Sequence, residues 1–157
     1  MIFLMKRIPL NREILMSRLS YIEDSLKSLG RFMGKSFKEF HSNSDNFRIA
    51  FYDLHRALEA TMDIGSHILS RIPGARATSY KEIPLLLGKN KIVPLSFAEK
   101  ELLQMAGYRN RMVHFYSEIT EKELYKIIHE NLKDFKKFCG YINKLVTNPK
   151  KYGLDIK

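Results

Sequence analysis

The chain has 157 residues, 45% of them hydrophobic, and a formal charge of +10 from 27 Lys and Arg against 17 Asp and Glu. That length buries a core without covalent staples, and the lone Cys139 excludes both an internal disulfide framework and a cysteine metal cluster. The positive excess points to an anionic partner such as nucleic acid, and because it is spread along the chain any binding face must be assembled by folding.

Met1 to Met5 is apolar but too short for a signal segment, and Lys6-Arg7 follows at once. No run approaches the roughly 18 apolar residues that span a bilayer. A cytoplasmic protein without a membrane segment is expected, starting at Met1 or Met5.

From about Leu10 to Phe32, apolar residues at Ile14/Leu15, Leu19, Ile22, Leu26 and Leu29 recur at helical spacing and predict a first amphipathic helix. Phe37 and Phe40 are expected to fold back onto the core. The polar turn His41 to Asn46 ends in good N-cap residues. A second helix is predicted from about Phe47 to Ile72, with the seam Phe51, Leu54, Leu58, Met62, Gly65, Ile68 and Ile72. Gly65 on that seam predicts close approach of another helix, and Pro73-Gly74 is the stop.

Three capping boxes, Ser79–Glu82, Ser96–Glu99 and Thr120–Glu123, predict the later helix starts. They open a short helix from Tyr80 to Leu87, a helix from Phe97 through Tyr116, and a final helix that Asn148-Pro149 ends. Cys139 falls among apolar positions of that last helix and reads as a buried thiol. The basic tail 149–157 is expected to be loose. The reading is one domain over 1–157, ordered from about 8 to 148. Its class is all-α, an up-and-down four-helix bundle with one additional short helix.

The stretch Tyr108-Arg109-Asn110-Arg111-Met112-Val113-His114-Phe115-Tyr116 carries the chemistry. Arginine presents a fixed fork of donors that matches phosphate oxygens, and histidine moves a proton near neutral pH. Metal-free cleavage of RNA needs a base for the 2′-hydroxyl proton, an acid for the leaving 5′ oxygen and a cation on the developing charge. One Arg109/His114 pair supplies one titrating group and one clamp. Two copies across a symmetric dimer would supply both.

Arg109-Asn110-(three residues)-His114-Phe115-Tyr116 resembles the R-x4-H-x-Y motif of the HEPN superfamily, and most closely its HepT-like toxins. The segments HRALEATMDIGSHIL, PGARATSYKEIPLLL and LLQMAGYRNRMVHFYSEIT follow the family's order and spacing, so the resemblance covers nearly the whole chain. It implies the HEPN fold and a homodimeric, metal-independent endoribonuclease with no cofactor, the toxin of a toxin–antitoxin module, cutting RNA at a composite dimer-interface site. Arg109 would hold phosphate and His114 would act as general acid or base. Asn110 would orient the histidine or the phosphate, and Tyr116 would assist. The resemblance also implies a partner, a cognate MntA-type nucleotidyltransferase antitoxin that inhibits the toxin by adding AMP to Tyr116. Added bulk and charge where RNA phosphate must sit would suffice for inhibition. The alternative is a non-catalytic HEPN subunit that binds nucleotide or substrate for that nucleotidyltransferase. A plain four-helix interaction protein is the third reading.

His55, Glu59, Asp63 and His67 recur four apart on the second helix. Such spacing can ligate a metal, but the stripe drifts about 40° per step, and structural salt bridges are favoured. Asp63 or its neighbours are expected to pack beside Arg109 and orient it. Arg111 reads as a solvated charge able to touch RNA backbone, and Tyr108 as a core-edge or dimer contact. The aromatic residues sit mostly at core spacing, which leaves no evident base-stacking platform.

Overall fold

The computed structural model describes residues 7–114 and 119–157. Its helices are α1 (Arg12–Leu29), α2 (Phe37–His41), α3 (Ser44–Leu69), α4 (Glu82–Lys89), α5 (Leu95–Phe97), α6 (Leu103–Val113) and α7 (Glu121–Thr147). A π-helical turn, Ala98–Leu102, joins α5 to α6. Short 3-10 turns follow α1 and α7. The chain is all-α, and α3 is its axis, touching α1, α2, α4, α6 and α7.

Asn11 caps α1, its side chain accepting from the Ile14 N–H at 3.0 Å, and Leu15, Leu19, Ile22 and Leu29 are buried. Phe40 does fold back, on a short helix that the spacing did not reveal. α2 opens on a complete capping box, Ser36–Glu39, and Phe40 meets Phe32 edge-on at 5.3 Å. α3 begins at Ser44 rather than Phe47 because Asn43 is the cap, accepting from the Asp45 N–H at 3.0 Å.

The three predicted capping boxes fare differently. Thr120 caps α7, accepting from the Glu123 N–H at 3.1 Å, but the Glu123 carboxylate is turned to Arg111 instead of back to the cap. At α4 the Ser79 side chain makes no cap, and the Glu82 carboxylate pairs chiefly with the N–H and hydroxyl of Thr78, each at 2.6 Å. Those bonds hold the Glu82 carboxyl below its usual range. Ser96 caps nothing, because α5 already starts after Pro94 and places Ser96 inside the helix. Proline there supplies a fixed φ with no N–H to satisfy.

Gly65 allows the expected close approach, and the neighbour is α4: a Cβ at Gly65 would stand 2.5 Å from the Ile83 Cγ2. Gly88 is tighter in kind, since its Cβ would meet the Ala98 Cβ at 2.6 Å, an atom with no rotamer to move. Gly88→Ala should therefore destabilise the protein by about 1–2 kcal/mol, overpacking outweighing the helix-propensity gain. Chemical denaturation of purified protein measures it, and a midpoint equal to wild type would refute the contact.

The tail is not loose, a correction to the sequence reading. Leu154 is buried, Leu10 donates to the Asp155 carbonyl at 2.8 Å, and the Lys157 N–H returns to the Leu10 carbonyl at 2.9 Å. Gly153, with φ at 71°, turns the chain so that this parallel bridge can form. A buried leucine and satisfied backbone groups outweigh the solvation of three lysines. Among the described residues no helix is long and apolar enough to cross a membrane.

Candidate functional site

α6 ends at Val113, short of the predicted end at Tyr116. His114 follows in extended backbone, with φ at −107° and ψ at 127°, its N–H reaching back to the Arg111 carbonyl at 3.4 Å. Val113 is β-branched and histidine is a poor helix former, so the helix frays where the motif turns outward. His114 is exposed. Phe115 and Tyr116 lie outside the described residues.

Arg109 is held from three directions. Its Nε donates to the Glu59 carboxylate at 2.6 Å, one of its terminal nitrogens donates to the Asn110 side-chain oxygen at 3.3 Å, and its guanidinium lies 3.5 Å from the centre of the Tyr80 ring. Its side chain is only 16% exposed. A guanidinium so clamped has lost its rotamer freedom before any ligand arrives, and two of its five donors are committed.

The orienting carboxylate is thus Glu59, one turn before Asp63. Asp63 faces another way, its carboxylate 3.3 Å from the Arg18 Nε. The rest of the α3 stripe also disperses. His67 accepts from the Asn11 N–H at 3.0 Å, and burial, with Arg71 nearby, lowers its pKa and favours the neutral acceptor form. His55 sits 3.5 Å from the Glu59 carboxylate. Among the described residues no group of three or more His, Cys, Asp or Glu is placed to hold a metal.

Arg111 is not a loosely solvated charge. It forms a two-pronged ion pair with Glu123 at the start of α7, one prong at 2.7 Å. This contact holds the Glu123 carboxyl below its usual range and ties the end of α6 to the start of α7. Beside it Tyr108 packs against the core, and burial, then Glu123, pushes its hydroxyl pKa up. Cys139 is buried in α7 and its thiol is raised to about 11, chiefly by burial, which makes it inert.

A cleft of about 650 Å³ opens between α3 and the end of α6. Arg48, His55, Arg111 and His114 line it, and its described lining contains no carboxylate. Phe47, Phe51 and Tyr52 of α3 also line it, with Tyr52 65% exposed. Phe51 packs against the core as its seam position predicts, and with Phe47 it also borders the cleft. Phe47 and Phe51 recur one turn apart, the same spacing as a core pair, so the sequence could not separate the two. Nothing in the sequence pointed to Tyr80, which reaches Arg109 from the connection before α4.

The Ribonuclease HepT-like family model matches residues 22–142, well over half of the chain. A tRNA nuclease HepT from Aphanizomenon flos-aquae is 29% identical over 135 residues, covering 85% of this chain and 91% of the relative. An mRNA nuclease HepT from Shewanella oneidensis is 25% identical over 132 residues, covering 83% and 96%. Among solved structures, a tri-AMPylated HEPN toxin from Shewanella oneidensis in complex with an MNT antitoxin superposes with a TM-score of 0.76. It is 23% identical, covers 85% of this chain and 98% of that one, and shows that the two share a fold.

Proposed function

This chain belongs to the HepT-like ribonuclease family, and from that premise we propose that it is an endoribonuclease toxin that cuts RNA in the cleft beside His114. The observation that carries the reading is the cleft's lining: two arginines, two histidines, three aromatic rings and, among the described residues, no carboxylate. Such a lining attracts phosphate and offers π-faces to unpaired bases.

Arg109, next to the cleft rather than in its described lining, is the clamp for the scissile phosphate, with three donors not committed to Glu59 or Asn110. Clamping the guanidinium beforehand means that little is reorganised as charge develops on phosphorus. Asn110 steadies Arg109 from its own helix. His114 is the proton-transfer group. Glu59, and not Asp63, orients Arg109. The working unit is a homodimer in which two copies of this cleft face each other, which doubles the cationic surface along the RNA. The reaction needs no metal, because proton transfer and charge neutralisation are both within reach of these side chains.

The antitoxin partner is a MntA-type nucleotidyltransferase that adds AMP to Tyr116, two residues past His114. Each adenylate adds a negative charge and a purine two residues along the chain from His114, so it opposes substrate phosphate by charge and by bulk. The two relatives named as nucleases of tRNA and mRNA and the AMPylated toxin complex support this reading.

The test is cleavage of a single-stranded RNA by the purified chain in EDTA, before and after treatment with the nucleotidyltransferase and ATP. Cleavage is expected to survive chelation and to fall as intact mass rises in steps of one adenylate. Tyr116→Phe should block the mass gain and preserve cleavage in the treated sample. Cleavage that vanishes with EDTA would defeat the metal-free mechanism, and a mass gain that persists in Tyr116→Phe would defeat the assignment of the modified residue.

A further inference from the structure

We propose that His55 is the group that takes the 2′-hydroxyl proton, an inference that rests on the ribonuclease reading. His55 comes from the middle of α3 and lines the same cleft as His114, which arrives from the end of α6. Its Nε2 is enclosed by protein without a hydrogen-bond partner, and the Glu59 carboxylate lies 3.5 Å away. The side chain is nevertheless 35% exposed, and with Nε2 enclosed that exposure falls on the rest of it.

This is a carboxylate behind one ring nitrogen with the rest of the ring bordering a cleft lined by arginines. A carboxylate so placed fixes the ring and stabilises the imidazolium that forms when the other nitrogen accepts a proton. Catalytic hydrogen bonds are often long until substrate binds and then tighten, which a separation of 3.5 Å permits. Glu59 couples the two halves of the site, because the same oxygen that faces His55 receives the Arg109 Nε at 2.6 Å. One carboxylate thereby sets the position of both the phosphate clamp and the base. The charged and titratable groups around His55 are Arg48, Tyr52 and Glu59 of α3, Arg109 on the same Glu59 oxygen, Arg111 of α6 and His114 just past its end, and Glu123 of α7 through its pair with Arg111.

In the reaction, the 2′ oxygen passes its proton to His55 as it forms a bond to phosphorus. The bond from phosphorus to the 5′ oxygen breaks, and that oxygen takes a proton from His114. The products are a 2′,3′-cyclic phosphate and a 5′-hydroxyl, and one proton has been accepted and one donated. With His55 present, each cleft holds an imidazole for each proton transfer, and the two copies of His114 need not share one substrate.

The experiment compares the full-length wild type with His55→Gln on a short RNA across about pH 5 to 9, with the product ends identified. Glutamine fills much of the same space without titrating, and Arg109 keeps its own bond to Glu59. The expected result is a fall in kcat of about 10²- to 10⁴-fold with KM little changed, and loss of the acidic limb of the pH profile. His55→Gln that cleaves like wild type with both limbs intact overturns the proposal. A slower variant that keeps the acidic limb also overturns it and leaves His55 a positioning residue. A wild type inert towards RNA would instead sink the ribonuclease reading, and this inference with it.

Discussion

His114→Ala is expected to lower RNA cleavage by about 10²- to 10⁴-fold while leaving the fold intact. The imidazole stands beyond the last turn of α6, in extended backbone and exposed, so its removal opens no core cavity. Exposed substitutions of this kind shift stability by only about 0.5 kcal/mol in either direction, and a helical circular dichroism spectrum and thermal midpoint should match wild type. The loss must then come from the chemical step. If His114 donates to the leaving oxygen, an RNA with sulfur in place of the bridging 5′ oxygen should restore much of the rate, because a thiolate departs without a proton. Activity unchanged by the substitution would remove His114 from the mechanism. A lowered thermal midpoint alongside lost activity would mean that the side chain holds structure instead.

Arg109→Lys should cost about 10²- to 10³-fold in kcat, the scale found when one preorganised donor to a developing oxyanion is removed. Lysine keeps the charge and can still reach a carboxylate. It lacks the planar fork that meets Glu59 and Asn110 while its face lies 3.5 Å from the centre of the Tyr80 ring. What lysine cannot reproduce is a cation locked from three sides with donors left over for phosphate. KM should rise less than kcat falls, since the clamp matters most when charge builds on phosphorus. If Arg109 served only to tie α6 to α3, lysine would preserve the ion pair and the rate would stay within a few-fold of wild type.

The linear spacing of the R-x4-H motif hides how differently its arginine and histidine are placed. Five positions apart at 100° per residue, Arg109 and His114 point roughly 140° away from one another on a regular helix. Arg109 accordingly turns to Glu59 and Tyr80, whereas His114, released from helical geometry after Val113, borders the cleft. The pair Arg111–Glu123 ties the last turn of α6 to the first turn of α7. An arginine outside the motif thus has a positional role that its spacing did not suggest.

Much of the architecture was legible in the linear chain, because helical amphipathicity is a local property. Leu15, Leu19 and Ile22 on α1, and Leu124, Ile128, Leu132 and Phe135 on α7, are buried as their spacing requires. Thr120 caps where its side chain says it should. Gly65 marked a close helix contact before its partner was known. The motif, its place at a helix end and the family also came from residues near one another in sequence.

What spacing left undecided was which side chains meet across helices far apart in the chain. Glu59 and Asp63 are four residues, about 6 Å of rise, apart on α3 and chemically near-equivalent. Only the way α6 lies on α3 gives Arg109 to the first and leaves the second to Arg18. The same packing brought His55 and the Phe47–Phe51 edge to the cleft, delivered Tyr80 beneath a guanidinium, and anchored a basic tail through Leu154. Periodicity names the stripe that faces inward, but the depth and angle at which two helices settle depend on every side chain between them, and that sum exists only in the folded chain.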